Sequence, residues 1–255
     1  MTAAILTERD NGVLIIRLNR AEKKNALTAD MYTVMADAIE QAESNRGIKV
    51  LLYTGTDGVF TAGNDIHDFL ENTPSGPDSP VNRFIVNMVR TDVPIVAAVD
   101  GVAVGIGTTM LLHFDRVFAT DRARFSLPFI NLGLVPEAGS SMLLVEACGY
   151  HKAAELLMLG KPFTAQEALE YGIVSELCEP EQLMDKALAA ARQLAAKPQD
   201  ALRATKRLLR RSREPLAERV LAEGELFSGC LESAAAKEAF NAFFEKRAPN
   251  FKPFD

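Results

Sequence analysis

Residues 94–107 read PIVAAVDGVAVGIG, and this stretch decides the fold class. Ile95–Val99 is an unbroken apolar run of strand length, as expected of a strand covered on both faces. Asp100-Gly101 closes it, and Gly105-Ile106-Gly107 opens an apolar helix expected to continue through Leu112. Further strands are predicted at 50–53, closed by Thr54-Gly55, and at 116–119 and 123–126. Strands that alternate with helical segments predict an α/β class with largely parallel pairing.

Toward the N-terminus, Ile5-Leu6 and Val13–Leu18 flank Asp10-Asn11-Gly12. Asn-Gly supplies the positive φ angles of a tight hairpin turn. A polar loop over 19–25 leads to Thr28, a good N-cap, and Met31, Val34, Met35, Ala38, Ile39 and Ala42 follow at helical spacing. Residues 72–80 hold three prolines, a glycine and two serines and read as a surface loop. From about Ser140 helices predominate, with Gly149, Gly160 and Gly172 as C-caps and Thr164 to Glu167 as a capping box. Leu183, Met184, Ala187, Leu188, Ala191 and Leu194 form another apolar stripe, and helices are expected over 201–211, 216–227 and 234–246.

The chain of 255 residues is 48% hydrophobic and 24% charged, with a net charge of -6. That charge argues against a nucleic-acid partner, which would need a basic stripe. One dense basic run, Lys206, Arg207, Arg210, Arg211 and Arg213, precedes Glu214 and Glu218 and is expected to be a solvated helix face or a subunit contact. Cys148, Cys178 and Cys230 are odd in number and far apart, which suggests neither a disulfide framework nor a zinc knuckle. His67 and His113 have no metal-ligand partners at useful spacing, so no metal is expected and neither is read as catalytic. Residues 1–8 lack a signal-peptide pattern, no apolar run is long enough to span a bilayer, and residues 254–255 carry no targeting address. The expectation is a cytoplasmic protein without a membrane partner.

Two segments invite chemistry. Phe60-Thr61-Ala62-Gly63-Asn64-Asp65-Ile66 is a small-residue turn after a strand, and residues 100–107 form a strand-to-helix junction. The first N–H groups of a helix lack intrahelical partners, and small residues let a ligand oxygen approach them. Two such turns brought together would make an oxyanion hole; apart, they are ordinary glycine turns. Gly105-Ile106-Gly107 is not a dinucleotide fingerprint, since the third glycine is missing. Glu137, after Pro136, fits a first-turn glutamate that stabilises a helix as readily as it fits a catalytic acid.

Four motifs in order resemble the crotonase family, the enoyl-CoA hydratase/isomerase superfamily. They are NRAEKKNAL at 19–27, FTAGND at 60–65, the 94–107 stretch, and FFEKRAPNF at 243–251. The resemblance implies a spiral of ββα units over 1–200, then a helical trimerisation region over 201–255, assembled as a homotrimer or a dimer of trimers. It implies an acyl-coenzyme A substrate and no separate cofactor. The N–H groups of Ala62 and Ile106 would hold the thioester oxygen, with Gly63 allowing close approach. Lys24, Ala26, Asp65 and Ile66 would lie along the coenzyme A nucleotide, while Lys246, with Phe227, would reach a neighbouring subunit's coenzyme A.

The same resemblance narrows the reaction. Hydratases of this family carry a glutamate three residues after the second oxyanion donor, and another in a Pro-Glu step of the next strand-loop. Here those positions hold Thr109 and Phe129. Glu137 instead resembles the base of the Δ3,Δ2-enoyl-CoA isomerase branch, with Phe129, Ile130 and Leu134 near enough in sequence to raise its pKa. The expected activity is transfer of a 3-enoyl-CoA double bond to the 2-position through a thioester enolate, in fatty acid metabolism. A 2-enoyl-CoA hydratase, another enolate reaction such as dehalogenation or decarboxylation, and a non-catalytic acyl-CoA-binding member remain the alternatives.

Overall fold

The computed structural model describes residues 3–72, 78–210, 233–247 and 250–254. Strands β1 (Ile5–Asp10) and β2 (Val13–Leu18) form the expected antiparallel hairpin, with Asn11 at φ 48° and Gly12 at φ 85°. Helix α1 (Ala29–Ser44) starts at Thr28, whose side chain accepts from the Met31 N–H at 3.4 Å. The strands β3 (Val50–Thr54), β4 (Ile95–Val99), β6 (Arg116–Thr120) and β9 (Glu176–Cys178) then add in parallel beside β2, giving a six-stranded sheet in the order β1-β2-β3-β4-β6-β9. A second sheet contains β5 (Val102–Val104), β7 (Arg124–Ser126) and β8 (Phe163–Thr164), in that order. After β4 the chain passes repeatedly from one sheet to the other, as expected of the spiral that the resemblance implies.

Period-two alternation sorts the side chains of the large sheet between two apolar layers. Leu14, Ile16, Leu51, Tyr53, Ile95 and Ala97 face the side covered by α1 and α3 (Pro80–Arg90). Val13, Ile15, Val50, Leu52, Val96 and Ala98 face Leu183, Ala187, Ala191 and Ala195 of α8 (Pro180–Ala195). Each large side chain removed from water contributes about 1.5–3 kcal/mol, so the sheet is a rigid platform for what hangs from its strand ends. Helices α2 (Ile66–Glu71), α4 (Ile106–Thr109), α5 (Ser140–Cys148), α6 (Tyr150–Met158), α7 (Ala165–Glu170), α9 (Gln199–Leu209) and α10 (Ala234–Glu245) complete the set among the described residues. The capping box forms at α7, where Thr164 and Glu167 hold each other's backbone. No helix among the described residues is long and apolar enough to cross a membrane.

Three expectations are corrected. The apolar helix expected through Leu112 is α4 alone, followed by a 3-10 turn over Met110–His113. On α1, Val34 is exposed and Tyr32 and Ala36 are buried, so the apolar face is rotated from the expected stripe. The basic run is a solvated face only in part: Arg207 is exposed, whereas Lys206 is not. Lys206 is buried, and its ammonium donates to the Val93 carbonyl (2.6 Å) and Asp115 (2.8 Å). Arg207 pairs with Asp92, and Arg210 donates to the carbonyls of Thr91 (3.1 Å) and His113. These cations bolt α9 to the entry of β4; Arg211, Arg213 and the helix expected over 216–227 lie outside the described residues.

The junction after β4 depends on Gly101, whose φ is 68° and whose added Cβ would lie 1.9 Å from the Gly58 carbonyl oxygen. Gly101→Ala should destabilise the protein by at least about 2 kcal/mol through backbone strain and displacement of a neighbouring loop. Urea unfolding of the two proteins measures it.

Candidate active site

The two small-residue turns meet through their backbones. The Thr61 N–H donates to the Val102 carbonyl (2.9 Å), and the Val104 N–H donates back to the Thr61 carbonyl (3.1 Å). A Cβ on Gly63 would sit 2.7 Å from the Val104 oxygen, and one on Gly107 2.5 Å from the Thr61 methyl group. Only glycine permits this approach. On its other side the first turn pairs with the 24–27 loop: the Leu27 N–H donates to the Gly63 carbonyl (2.8 Å), and the Asp65 N–H to the Leu27 carbonyl (2.9 Å).

These bonds decide which N–H groups are free. The Ala62 N–H donates to the Lys24 carbonyl at 2.9 Å, which corrects its expected role as a donor to a ligand. The Gly63 N–H is taken by the Thr61 hydroxyl at 3.1 Å. Between Thr61 and Asp65, Asn64 is the residue whose N–H has no acceptor among the described residues. In the second turn Gly105 has φ 57° and donates to the Ser126 carbonyl (2.9 Å), and the Ile106 N–H at the start of α4 has no acceptor among the described residues. Thr61 and Ala103 bridge the turns, so a free donor stands on each of two adjacent segments.

Glu137 comes to the same place. Thr109, one helical turn beyond Ile106, donates its hydroxyl hydrogen bond to the Glu137 carboxylate. The backbone around the acid is fixed by the Ser140 N–H (3.0 Å) and hydroxyl (2.7 Å), both donated to the Glu137 carbonyl. Burial pushes the Glu137 carboxyl up to about 7, and the hydrogen bond from Thr109 opposes the shift only in part. Of the apolar neighbours expected around it, Phe129 is buried while Ile130 and Leu134 are half exposed.

Tyr32, absent from the expected constellation, belongs to it. Its hydroxyl donates to the Asn64 side chain, its ring packs 5.6 Å from Phe84, and burial first, then the Glu137 charge, raises its pKa well above the ordinary value. No periodicity argument marks a buried tyrosine as facing a site, because its partner lies on another segment.

The expected nucleotide-side residues are mostly peripheral to this centre. Lys24 is exposed with φ 51°, Ala26 is half-buried and Ile66 is exposed. The Asp65 side chain is engaged within the protein: Arg20 lies 2.6 Å away, and the His67 N–H (3.1 Å) and Asp68 N–H (3.4 Å) donate to it at the start of α2. The Arg20 bond holds the Asp65 carboxyl below the usual carboxylate range. Lys246 is exposed just after α10, and Phe227 lies outside the described residues.

The description "Enoyl-CoA hydratase/isomerase" belongs to the family model that matches residues 8–253. The chain is 33% identical over 259 residues to 1,2-epoxyphenylacetyl-CoA isomerase of Escherichia coli, covering 98% of this chain and 99% of that protein. It is 32% identical over 250 residues to 2,3-dehydroadipyl-CoA hydratase of the same bacterium, covering 97% and 98%. Among solved structures, OdaA of Pseudomonas aeruginosa is 45% identical with a TM-score of 0.80, covering 95% of this chain and 99% of that one. With its spiral of two sheets, its two paired turns and this full-length similarity, the chain belongs to the enoyl-CoA hydratase/isomerase family.

Proposed function

We propose that the chain is an enoyl-CoA isomerase that moves a 3-enoyl-CoA double bond to the 2-position. The relatives' names divide between isomerase and hydratase, so the reading rests on the acids present. The observation that carries it is the single carboxyl of Glu137, held near neutral pKa against Thr109, at the position where a hydratase would have its first glutamate. Phe129 leaves no acid at the second hydratase position.

In this reading the Glu137 carboxylate removes a proton from C2 of the acyl chain. The electron pair passes through the carbonyl carbon to the thioester oxygen, which accepts hydrogen bonds from the N–H groups of Asn64 and Ile106. Loss of one such donor typically costs about 2.7–4 kcal/mol of transition-state stabilisation. Glu137, now protonated, returns the proton at C4, and the double bond lies between C2 and C3. Nothing is oxidised and no water is added, so one acid suffices. A pKa near 7 suits a group that must both take and give the proton. Lys24, Ala26 and the main chain at Asp65 and Ile66 would border the coenzyme A nucleotide, Phe227 and Lys246 would complete the site from a neighbouring subunit, and the assembly would be a trimer or a dimer of trimers.

Purified protein assayed with 3-enoyl and 2-enoyl thioesters of several chain lengths tests the reading. Absorbance of the conjugated product should rise with 3-enoyl substrates, while hydration of 2-enoyl substrates stays weak. Glu137→Gln should lower kcat/KM for isomerisation by roughly 10²–10⁴ and leave calorimetric affinity for a saturated acyl-CoA nearly unchanged. Isomerase activity that survives in this variant would remove Glu137 as the base.

The base must be ionised, so kcat/KM should rise with pH through about 7 and then level off. Thr109→Val removes a bond that favours the carboxylate, and the rising limb should move to higher pH. An unmoved limb would contradict the contact.

Stability follows the opposite sign. A carboxyl whose pKa is raised from 4.5 to about 7 by folding loses stability for the protein as pH climbs through that window. At about 1.4 kcal/mol per unit, Glu137→Gln should be more stable than the parent at pH 8 by up to about 3.5 kcal/mol, and not at pH 4. Chemical denaturation at the two pH values reads the difference.

A further inference from the structure

The segment that carries Glu137 packs against the core at Ala138 but leaves its larger apolar side chains outside it. Leu132, Leu134 and Val135 are exposed, and a Cβ added to Gly133 or Gly139 would meet nothing within 4 Å. Its backbone is also unusual, since Ala138 at φ 51° and Gly139 at φ 67° are consecutive left-handed residues. A side-chain-bearing residue such as Ala138 resists that conformation unless its surroundings impose it. Local bonds from Ser140 secure the Glu137 carbonyl, but they move with the turn.

Among the described residues, two hydrogen bonds reach the turn from elsewhere in the fold. One is from Thr109 to the Glu137 carboxylate. The other joins the His113 Nε2 to the Ala138 carbonyl at 2.7 Å. A carbonyl only accepts, so this nitrogen carries the hydrogen. Burial lowers the His113 pKa, with the positive charges of Arg210 and Lys206 acting in the same direction, which keeps the ring neutral as the Nε2–H form. The His113 backbone is itself held, because Arg210 at the end of α9 donates to the His113 carbonyl while also holding the Thr91 carbonyl.

We infer that His113 is a positioning residue for the catalytic acid: its imidazole N–H holds the Ala138 peptide in the left-handed conformation that keeps the Glu137 carboxylate against Thr109. Through Arg210, the same chain of bonds ties the C-terminal helical region to the acid. The inference rests on the isomerase reading for its kinetic consequence, but not for its geometry. His113 touches no substrate, and its work is done through Glu137.

The test compares His113→Gln with His113→Asn in the full chain. Both are polar amides, but only glutamine places its side-chain N–H near the position of the imidazole Nε2. His113→Gln should keep kcat for 3-enoyl-CoA isomerisation within about threefold of the parent. His113→Asn should lower kcat by about 10–100-fold with KM within about twofold, since a displacement of about 1 Å in a reacting group can cost 10²-fold. In its crystal structure the Glu137 carboxylate should have left Thr109. Parent-like kcat in His113→Asn, an equal loss in both variants, or a carboxylate still on Thr109 in the asparagine variant would overturn the inference. A parent without isomerase activity would remove the reaction instead, and the position of Glu137 in the two crystal structures would still decide the role of His113.

Discussion

The backbone pairing of Thr61 with residues 102–104 is the constraint on which the rest of the site depends. Its two hydrogen bonds, at 2.9 and 3.1 Å, lock a turn after β3 to the junction after β4, and glycine at 63 and 107 lets the segments touch. Parallel register between β3 and β4 delivers both segments to the same end of the sheet. Because the N–H groups of Thr61, Ala62, Gly63 and Asp65 are consumed in holding this arrangement, Asn64 is left among the described residues as the free donor between them, on the segment paired with the one that carries Ile106. A pair of donors fixed before substrate arrives needs no reorganisation when charge develops on an oxygen, and that preorganisation gives such sites their strength.

The acid follows a different logic. Glu137 sits on a segment that leaves its larger apolar side chains exposed, yet burial of its carboxyl raises the pKa to about 7. Destabilising the charged form of a base costs folding energy and provides a group able to accept and return a proton near neutrality. Thr109 contributes twice: it leaves room where a longer acid would stand, and its hydroxyl orients the acid that arrives from another loop. A single carboxylate served in this way suits a proton transfer within one molecule better than the addition of water.

Much of the architecture was legible in the residues because the signals are local. Asn11-Gly12 imposes its turn, Thr28 and Thr164 cap their helices, and the apolar runs at 50–53 and 95–99 become buried strands. What escaped depends on partners from other segments. Ala62 looked like the donor until the Lys24 carbonyl claimed its N–H; nothing within FTAGND tells Ala62 from Asn64. Lys206 and Arg210 read as surface charge because the carbonyls of Val93, Thr91 and His113 that bind them belong to distant loops. Tyr32 fell outside the expected stripe of α1, although its hydroxyl reaches Asn64. The likeness of motifs singled out Glu137 as a candidate acid, whereas its contact with Thr109 emerges only when the spiral closes.

The most direct test of the central claim is a crystal structure with a bound 3-ketoacyl-CoA, whose enolate form carries the charge distribution of the reaction intermediate. The thioester oxygen should lie within about 3 Å of both the Asn64 and Ile106 nitrogens, with the Glu137 carboxylate facing C2. A thioester oxygen bound elsewhere, or held with Asn64 turned away, would contradict that claim.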